Sequence, residues 1–355
     1  MTAVLTRFIS EQDSAAVESR LAGHWERRVT AAADFGDDYV ALWSAIARSA
    51  TGGKLLRPAL VLGLHEQLGG DHGDAAVEVA VAFELLHTGF LLHDDVIDGD
   101  LVRRGRRNIL GERVDQALAA GINGADAERW AQASAILAGD LLIHDAQAFI
   151  ARLAVPEPLR RSLLDLLDDA VFASAAGELA DVALSAGTAR PGLHTVLEMT
   201  TWKTAPYSFS APLRAGAVLA GAPAQTVAVL ARFGGLVGRA FQLRDDVLGV
   251  FGDEAVTGKS TIGDIREGKV TAMIAYAHET PSWAEMRGLL GSDAADGDVA
   301  RLRVLLVECG AVDYVEGLIA HAVAESLAVL DAATLPDALR SELARLSHQA
   351  TERVA

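Results

Sequence analysis

The chain has very little cysteine, few prolines and few aromatic residues. Its 355 residues include a single cysteine, Cys309, nine prolines and only 5% aromatic side chains. One cysteine excludes an intramolecular disulfide framework and is typical of a reducing compartment, so we expect a cytoplasmic protein. Long uninterrupted apolar runs and a secretory signal are also missing from the sequence. We therefore expect a soluble protein without a membrane span.

Positive charge is scarce as well. The 31 lysines and arginines are outnumbered by 48 aspartates and glutamates, which gives a formal net charge of −17. Such a field repels a phosphate backbone, so we expect no nucleic-acid partner. Local basic clusters can still bind a small anion.

The alternating pattern of a half-buried strand is absent too, and we expect no strand. Apolar residues recur at spacings of three and four, and alanine and leucine are abundant, which predicts an all-α protein. The clearest helices are expected over 75–98, 126–153 and 157–185, and the helical pattern continues over 192–211. Since no linker rich in proline, serine or glycine divides the chain, we predict a single domain over 1–355, with a flexible segment of about 12 residues at its start.

Two clusters of aspartate dominate the sequence, Asp94, Asp95 and Asp98 in LLHDDVIDGDLVRRG, and Asp245 and Asp246 in FQLRDDVLGVFGD. Each cluster ends an apolar stretch without a glycine-rich turn before it, so we expect both on helices. Asp94 and Asp98 then share a face, and like charges one turn apart destabilise a helix unless a cation compensates. Mg²⁺ prefers oxygen ligands, so the clusters predict metal sites. For Asp245 and Asp246 taken alone, solvated surface charge is the alternative.

Basic residues occur in short motifs around these clusters. Carboxylates for a metal and cations for phosphate suit a diphosphate substrate, whose oxygens bridge Mg²⁺ while lysine and arginine neutralise the remaining charge. The cations are Lys54 and Arg57 in GGKLLRP, Arg103 and Arg104 in RRG, Lys203 in TWKTA, Lys259 in TGK and Lys269 in EGK.

These motifs, in this order and spacing, resemble the trans-isoprenyl diphosphate synthases of the polyprenyl synthetase family. The resemblance covers about residues 52–269 and includes ELLHTGFLLHDDVIDGDLVRRG, AILAGDLL and FQLRDDVLGVFGDEAVTGK. It implies the isoprenoid synthase fold, one large helical bundle around a central cavity, and a homodimer. It also implies Mg²⁺-dependent condensation of isopentenyl diphosphate with an allylic prenyl diphosphate.

The resemblance assigns a role to each candidate residue by position. Asp94 and Asp98 would bind two Mg²⁺ ions and Asp245 a third, with the allylic diphosphate bridging all three. The remaining assignments are Arg103, Lys203 and Lys259 to the allylic diphosphate, Lys54, Arg57, His87 and Arg104 to isopentenyl diphosphate, Thr204 and Gln242 to the reacting centre, and Lys269 as a further substrate contact.

Two positions depart from the family pattern. Gly249 stands where the second cluster usually ends in a third aspartate, which thins the support around the metal. Glu178 follows Gly177 where the family commonly has glutamine, which alters a polar contact. We expect both changes to tune activity without abolishing it.

Product length is predicted from the residues five and four positions before the first aspartate. In the family, bulky residues there form the floor that stops the growing chain. Here they are Gly89 and Phe90, so the floor is half closed. We predict geranylgeranyl diphosphate as the product, farnesyl diphosphate second, and longer polyprenyl chains third.

Two other functions compete with this interpretation. A class I terpene cyclase shares the fold and the first cluster, and Asp245, Gly249 and Asp253 echo the spacing of its second metal motif. The cyclase normally needs serine or threonine at position 249, and it has no use for Lys54 and Arg57. The other alternative is a noncatalytic subunit of a heteromeric synthase, but such subunits tend to lose the acidic clusters, which this chain keeps.

Overall fold

The computed structural model is almost entirely helical, which confirms the all-α prediction. Contacts group the chain into two compact units, one of residues 2–167 and 215–222, the other of residues 168–214 and 223–355. The single domain over 1–355 stays a prediction. The structure describes residues 8–188, 192–252, 263–291 and 295–352.

In the part of the chain that the structure describes, the first unit contains six complete α-helices and parts of two others. Most of these helices begin where the sequence offers a cap or a glycine break. Asn123, for example, accepts a hydrogen bond from the backbone N–H of Asp126 at 3.0 Å, which stabilises the start of its helix. The helices are α1 (Glu11–Ala32), α2 (Asp37–Ser49), α3 (Leu56–Gln67), α4 (Gly73–Ile97), α5 (Ile109–Ala119), α6 (Gly124–Ala151) and α7 (Glu157–Ser185), within which the boundary at residue 167 falls.

Helix α4 forms the centre of the first unit and packs mainly against α6. The crossing is close because glycines meet there: a Cβ added to Gly89 would lie 3.0 Å from the carbonyl oxygen of Gly139. In the described residues, α4 and α6 are the helices long and apolar enough to cross a bilayer, and their most apolar windows are 72% and 44% buried. The burial of α4 is that of a core helix, whereas α6 keeps an exposed apolar face. The absence of a membrane span stays a prediction.

A small hairpin follows α4, although the sequence led us to expect no strand. Its strands are β1 (Val102–Arg103) and β2 (Arg106–Arg107), paired antiparallel. Arg104 and Gly105 form the turn with φ of 54° and 71°, as a two-residue type I′ turn requires. Strands of two residues are too short to give an alternating pattern, which is why the sequence did not indicate them.

The second unit contains the remaining helices. We expected one helix over 192–211, but it is interrupted by a π-helical turn at Pro206–Ser210, where proline lacks the N–H that an α-helix needs. The core is formed by fully buried residues such as Leu243, Met273 and Leu302. The helices are α8 (Leu193–Ala205), α9 (Ala211–Leu219), which crosses the boundary between the units, α10 (Ala224–Phe251), α11 (Gly263–Arg266), α12 (Ala272–His278), α13 (Trp283–Met286), α14 (Asp296–Glu308), α15 (Ala311–Asp331) and α16 (Asp337–Thr351).

Candidate active site

The first acidic cluster lies at the C-terminal end of α4, as predicted. Asp98 caps the helix, and its backbone N–H donates to the carbonyl oxygen of Asp94 at 2.8 Å. The side chains of Asp94 and Asp98 are partly exposed, whereas Asp95 is only 2% exposed. Asp94 and Asp98 are therefore accessible to an external ligand, and Asp95 has an internal role.

Arg103 ties the hairpin to this cluster. Its Nε donates to Oδ1 of Asp95 at 2.6 Å, and its Nη2 donates to Oδ2 of Asp94 at 3.0 Å. Burial raises the pKa of Asp95 to about 6, although Arg103 acts in the opposite direction. The guanidinium is thus fixed beside the accessible carboxylates by two charge-assisted contacts.

The donor set of the first cluster suits Mg²⁺. Asp94 and Asp98 offer only oxygen atoms, which hard divalent cations prefer. Among the described residues, no group of three or more histidine, cysteine, aspartate or glutamate side chains forms a metal cage. Mg²⁺ is usually held by one or two carboxylates together with substrate phosphates and water. The two aspartates fit that mode of binding.

A basic cluster gathers in the same unit. The pKa of His87 lies well below its usual value because of burial and because of the positive charges of Arg57, Arg104 and Arg103. Arg57 is buried, while Arg104 is exposed in the hairpin turn. The structure thus brings His87 within electrostatic range of three predicted cations, and it places Lys54 exposed, three residues before Arg57.

Glu84 also belongs to this cluster, and the sequence interpretation missed it. It lies on α4, one turn before His87, and is 6% exposed. Burial raises its pKa, and the charges of Arg57 and Arg104 act against that rise. The signal was present in the sequence, because Glu84 is the one charged residue between Glu78 and Asp94.

The second acidic cluster lies near the C-terminal end of α10 in the second unit. Asp245 and Asp246 are partly exposed. The Thr204 hydroxyl donates to Oε1 of Gln242 at 2.5 Å, and Nε2 of Gln242 donates to Oδ1 of Asp246 at 2.9 Å. These bonds fix the orientation of the Gln242 amide. The structure thus brings together the two residues predicted for the reacting centre, Thr204 and Gln242.

Lys203, at the end of α8, is held between two carboxylates. Its Nζ lies 2.7 Å from Oδ2 of Asp181 and 2.9 Å from Oε2 of Glu178, and both partners belong to α7. Asp181, to which the sequence motifs assign no role, therefore contacts a predicted substrate ligand. These partners are more than twenty residues away in the chain, so sequence spacing did not reveal them.

The other predicted residues are placed as follows. Nζ of Lys269 lies 3.0 Å from Oε2 of Glu267. Phe90 is partly exposed, and Gly89 is buried at the crossing of α4 and α6. Lys259 and Asp253 lie outside the described residues.

The chain is similar to known proteins over most of its length. The family model for polyprenyl synthetase matches residues 41–305. A geranylfarnesyl diphosphate synthase of Aeropyrum pernix is 34% identical over 299 residues, 83% of this chain and 88% of that protein. A geranylgeranyl diphosphate synthase of Mycobacterium tuberculosis is 34% identical over 309 residues, 84% of this chain and 80% of that protein.

A solved structure extends the likeness to nearly the whole chain. It is a geranylgeranyl pyrophosphate synthase of Corynebacterium glutamicum, complexed with isoprenyl diphosphate and magnesium, with a TM-score of 0.90 and 28% identity over 98% of this chain and 100% of that one. The helical isoprenoid synthase fold that we expected is therefore confirmed. The chain belongs to the polyprenyl synthetase family and is a trans-prenyltransferase of the short-chain isoprenyl diphosphate synthase type.

Proposed function

We propose that the protein condenses isopentenyl diphosphate head to tail with an allylic prenyl diphosphate and that geranylgeranyl diphosphate is its main product. The observation that carries this proposal is the pairing of two different clusters in the first unit. Asp94 and Asp98 with Arg103 suit a metal-bound diphosphate, and Arg57 and Arg104 around His87 suit a second one. An enzyme with one diphosphate substrate has no need of the second cluster.

In the first unit, Asp94 and Asp98 are the proposed ligands of two Mg²⁺ ions, and Arg103 binds the allylic diphosphate. When bound, Mg²⁺ supplies positive charge that stabilises the departing diphosphate. Arg103 adds charge to the same group, and it needs little reorganisation because Asp94 and Asp95 already hold it. No protein nucleophile is required, since the double bond of isopentenyl diphosphate attacks the allylic carbon.

The isopentenyl diphosphate site is proposed to consist of Lys54, Arg57, His87 and Arg104. The lowered pKa of His87 keeps its imidazole neutral near pH 7. His87 would therefore donate a neutral N–H to phosphate, while the lysine and arginines supply the charge.

In the second unit, Asp245 is the proposed ligand of a third Mg²⁺ ion. Lys203 and Lys259 are proposed to bind the allylic diphosphate, and Lys269 is proposed as a further substrate contact. Thr204 and Gln242 line the reacting centre, where their mutual hydrogen bond directs both side chains. Gly249 has no side chain, so it cannot contact the proposed metal site of Asp245 as a third aspartate would.

We propose that Phe90 limits the length of the product. Its partly exposed ring would limit the growing chain, whereas Gly89 offers no side chain. Phe90→Ala should therefore lengthen the product, and an unchanged product on reversed-phase chromatography would contradict the assignment. A bulkier residue at position 89 is a poor test, because its Cβ would already press on Gly139 of α6.

We further propose a cytoplasmic homodimer. In the first unit, Ile136 and Leu137 on α6 are 43% and 57% exposed. In the second unit, Phe172 and Leu179 on α7 are 81% and 71% exposed. Large apolar side chains exposed along helices are typical of subunit interfaces, and analytical ultracentrifugation would test the dimer.

The deciding experiment is a product profile of the purified chain. It is incubated with isopentenyl diphosphate, Mg²⁺ and, in turn, dimethylallyl, geranyl or farnesyl diphosphate, and the products are dephosphorylated and separated. We expect a geranylgeranyl product that disappears with EDTA and returns with Mg²⁺. Hydrocarbon formed from geranylgeranyl diphosphate alone would indicate a terpene cyclase, and an inactive pure chain would indicate a noncatalytic subunit.

A further inference from the structure

Glu84 is a buried carboxylate in a place where burial is costly. Its Oε2 is shielded from solvent and has no hydrogen-bond partner in the part of the chain that the structure describes. Burying an ionised group without full hydrogen bonding destabilises the folded protein. The roles assigned above to other residues do not use this carboxylate. The buried Glu84 carboxylate, at the edge of a proposed substrate site, is therefore a candidate for a functional role.

The surroundings of Glu84 connect three separate segments of the first unit. A Cβ added to Gly53 would lie 3.2 Å from Oε1 of Glu84 and 4.0 Å from Nη1 of Arg104. Arg57, near the start of α3, and Arg104, in the hairpin turn, both interact electrostatically with the carboxylate. Glu84 thus lies where the glycine loop, α3 and the hairpin turn converge on α4.

The carboxylate of Glu84 can offset the repulsion between Arg57 and Arg104. Arg57 and Arg104 carry like charges, and the same pair acts on His87, so they must converge on one region. Like charges in a partly buried site repel each other unless an anion lies close to both. Arg104 is also exposed in a turn, where a long side chain has many rotamers. With Glu84 ionised and His87 neutral, Arg57 and Arg104 leave a net charge of +1, and Lys54 raises it to +2, which still attracts a diphosphate.

We propose that Glu84 is a positioning residue that holds Arg57 and Arg104 in the orientation in which they bind the diphosphate of isopentenyl diphosphate. The inference rests on the proposed function and adds a residue to it. Glu84 does not touch the substrate; it acts through the two guanidinium groups. It therefore affects binding of isopentenyl diphosphate much more than binding of the allylic substrate, whose proposed contact in this unit is Arg103.

The test compares three variants with the wild-type protein. Glu84→Gln keeps the shape and removes the charge. Glu78→Gln is the matched control, because Glu78 lies six residues earlier on α4, about 9 Å along the axis, and binds Arg20 at 2.5 Å. Gly53→Ala keeps every charge but places a methyl group against the Glu84 carboxylate.

Steady-state kinetics with geranyl diphosphate should separate the variants. We expect Glu84→Gln to raise KM for isopentenyl diphosphate about tenfold, the size of one lost charge-assisted contact, with KM for geranyl diphosphate unchanged. Gly53→Ala should raise the same KM about threefold, and Glu78→Gln should leave it unchanged. The melting temperature of Glu84→Gln should fall, because the repulsion between Arg57 and Arg104 is then no longer offset.

Direct titration with isopentenyl diphosphate, without an allylic substrate, separates this inference from the proposed function. A wild-type protein that makes no longer prenyl diphosphate contradicts the proposed function. A Glu84→Gln variant that binds isopentenyl diphosphate as tightly as the wild type, or more tightly, overturns the role of Glu84, and so does a wild type that does not bind it. A rise in KM for both substrates would show a purely structural role and would also overturn the inference.

Discussion

Arg103 in the first unit and Lys203 in the second are proposed to bind the same kind of ligand, and each is held by two carboxylates in a different way. Arg103 spans Asp94 and Asp95 with separate nitrogen atoms of its planar guanidinium. Lys203 presents a single ammonium to Asp181 and Glu178. The arginine is therefore fixed in direction as well as position, whereas the lysine is fixed mainly in position.

The carboxylates themselves also differ. Asp94 is a proposed metal ligand, so a bound Mg²⁺ would offset the charge that now holds Arg103 and leave the guanidinium to the phosphate. Asp181 and Glu178 have no such role in the proposal, so two negative charges remain on Lys203. We therefore expect Arg103 to become available to the diphosphate when Mg²⁺ binds. Lys203 is expected to stay paired with its two carboxylates, which weakens its contact with a phosphate.

The largest effect is expected at Asp94. Asp94→Asn removes a charge from both the proposed metal ligand and the Arg103 contact, and we expect kcat to fall by about 10³-fold. Raising Mg²⁺ should restore only part of the loss. Asp115→Asn, which alters an exposed partner of Arg107, is the control and should retain activity. A fall of less than about tenfold would remove Asp94 from the metal site.

The next effect tests the direction of Arg103. Arg103→Lys keeps the charge but loses the planar fork, so it cannot contact Asp94 and Asp95 through separate donors. We expect kcat/KM for the allylic diphosphate to fall by about 10²-fold. Lys203→Arg should lower kcat/KM less, because the ammonium of Lys203 acts as a point charge and its contacts do not depend on a fixed direction. Equal losses in the two variants would show that the two units use their cations alike.

The sequence was most informative where the physics is local. The end of α4 at Ile97, followed by the cap Asp98, is encoded by an apolar run that stops at an aspartate and a glycine. The turn at Arg104 and the interruption at Pro206 were missed, because a two-residue strand and a π-turn leave almost no periodic signal. The carboxylates around Lys203 come from another helix, and only packing could reveal them.

The pH dependence of stability should be visible at Asp95. Its pKa is raised from 3.8 to about 6 in the folded protein, so the native state binds a proton more tightly than the unfolded state. The stabilisation is complete below about pH 4 and is lost as the pH rises through about 6, which amounts to about 3 kcal/mol. Comparing denaturant unfolding of wild type and Asp95→Asn without Mg²⁺ isolates this contribution. Parallel stability curves from pH 4 to 7 would contradict it.

The smallest effect concerns the restraint on Lys203. Glu178→Gln removes one of the two charges on the ammonium and leaves Asp181 to hold it at 2.7 Å. Because the freed charge can act on a phosphate, we expect KM for the allylic diphosphate to fall about threefold, with KM for isopentenyl diphosphate unchanged. Glu198→Gln, on the same helix as Lys203 but paired with His194, controls for the change in net charge. A rise in this KM would instead show that Glu178 orients Lys203 for phosphate binding. Carboxylates would then have the same effect on Lys203 as on Arg103.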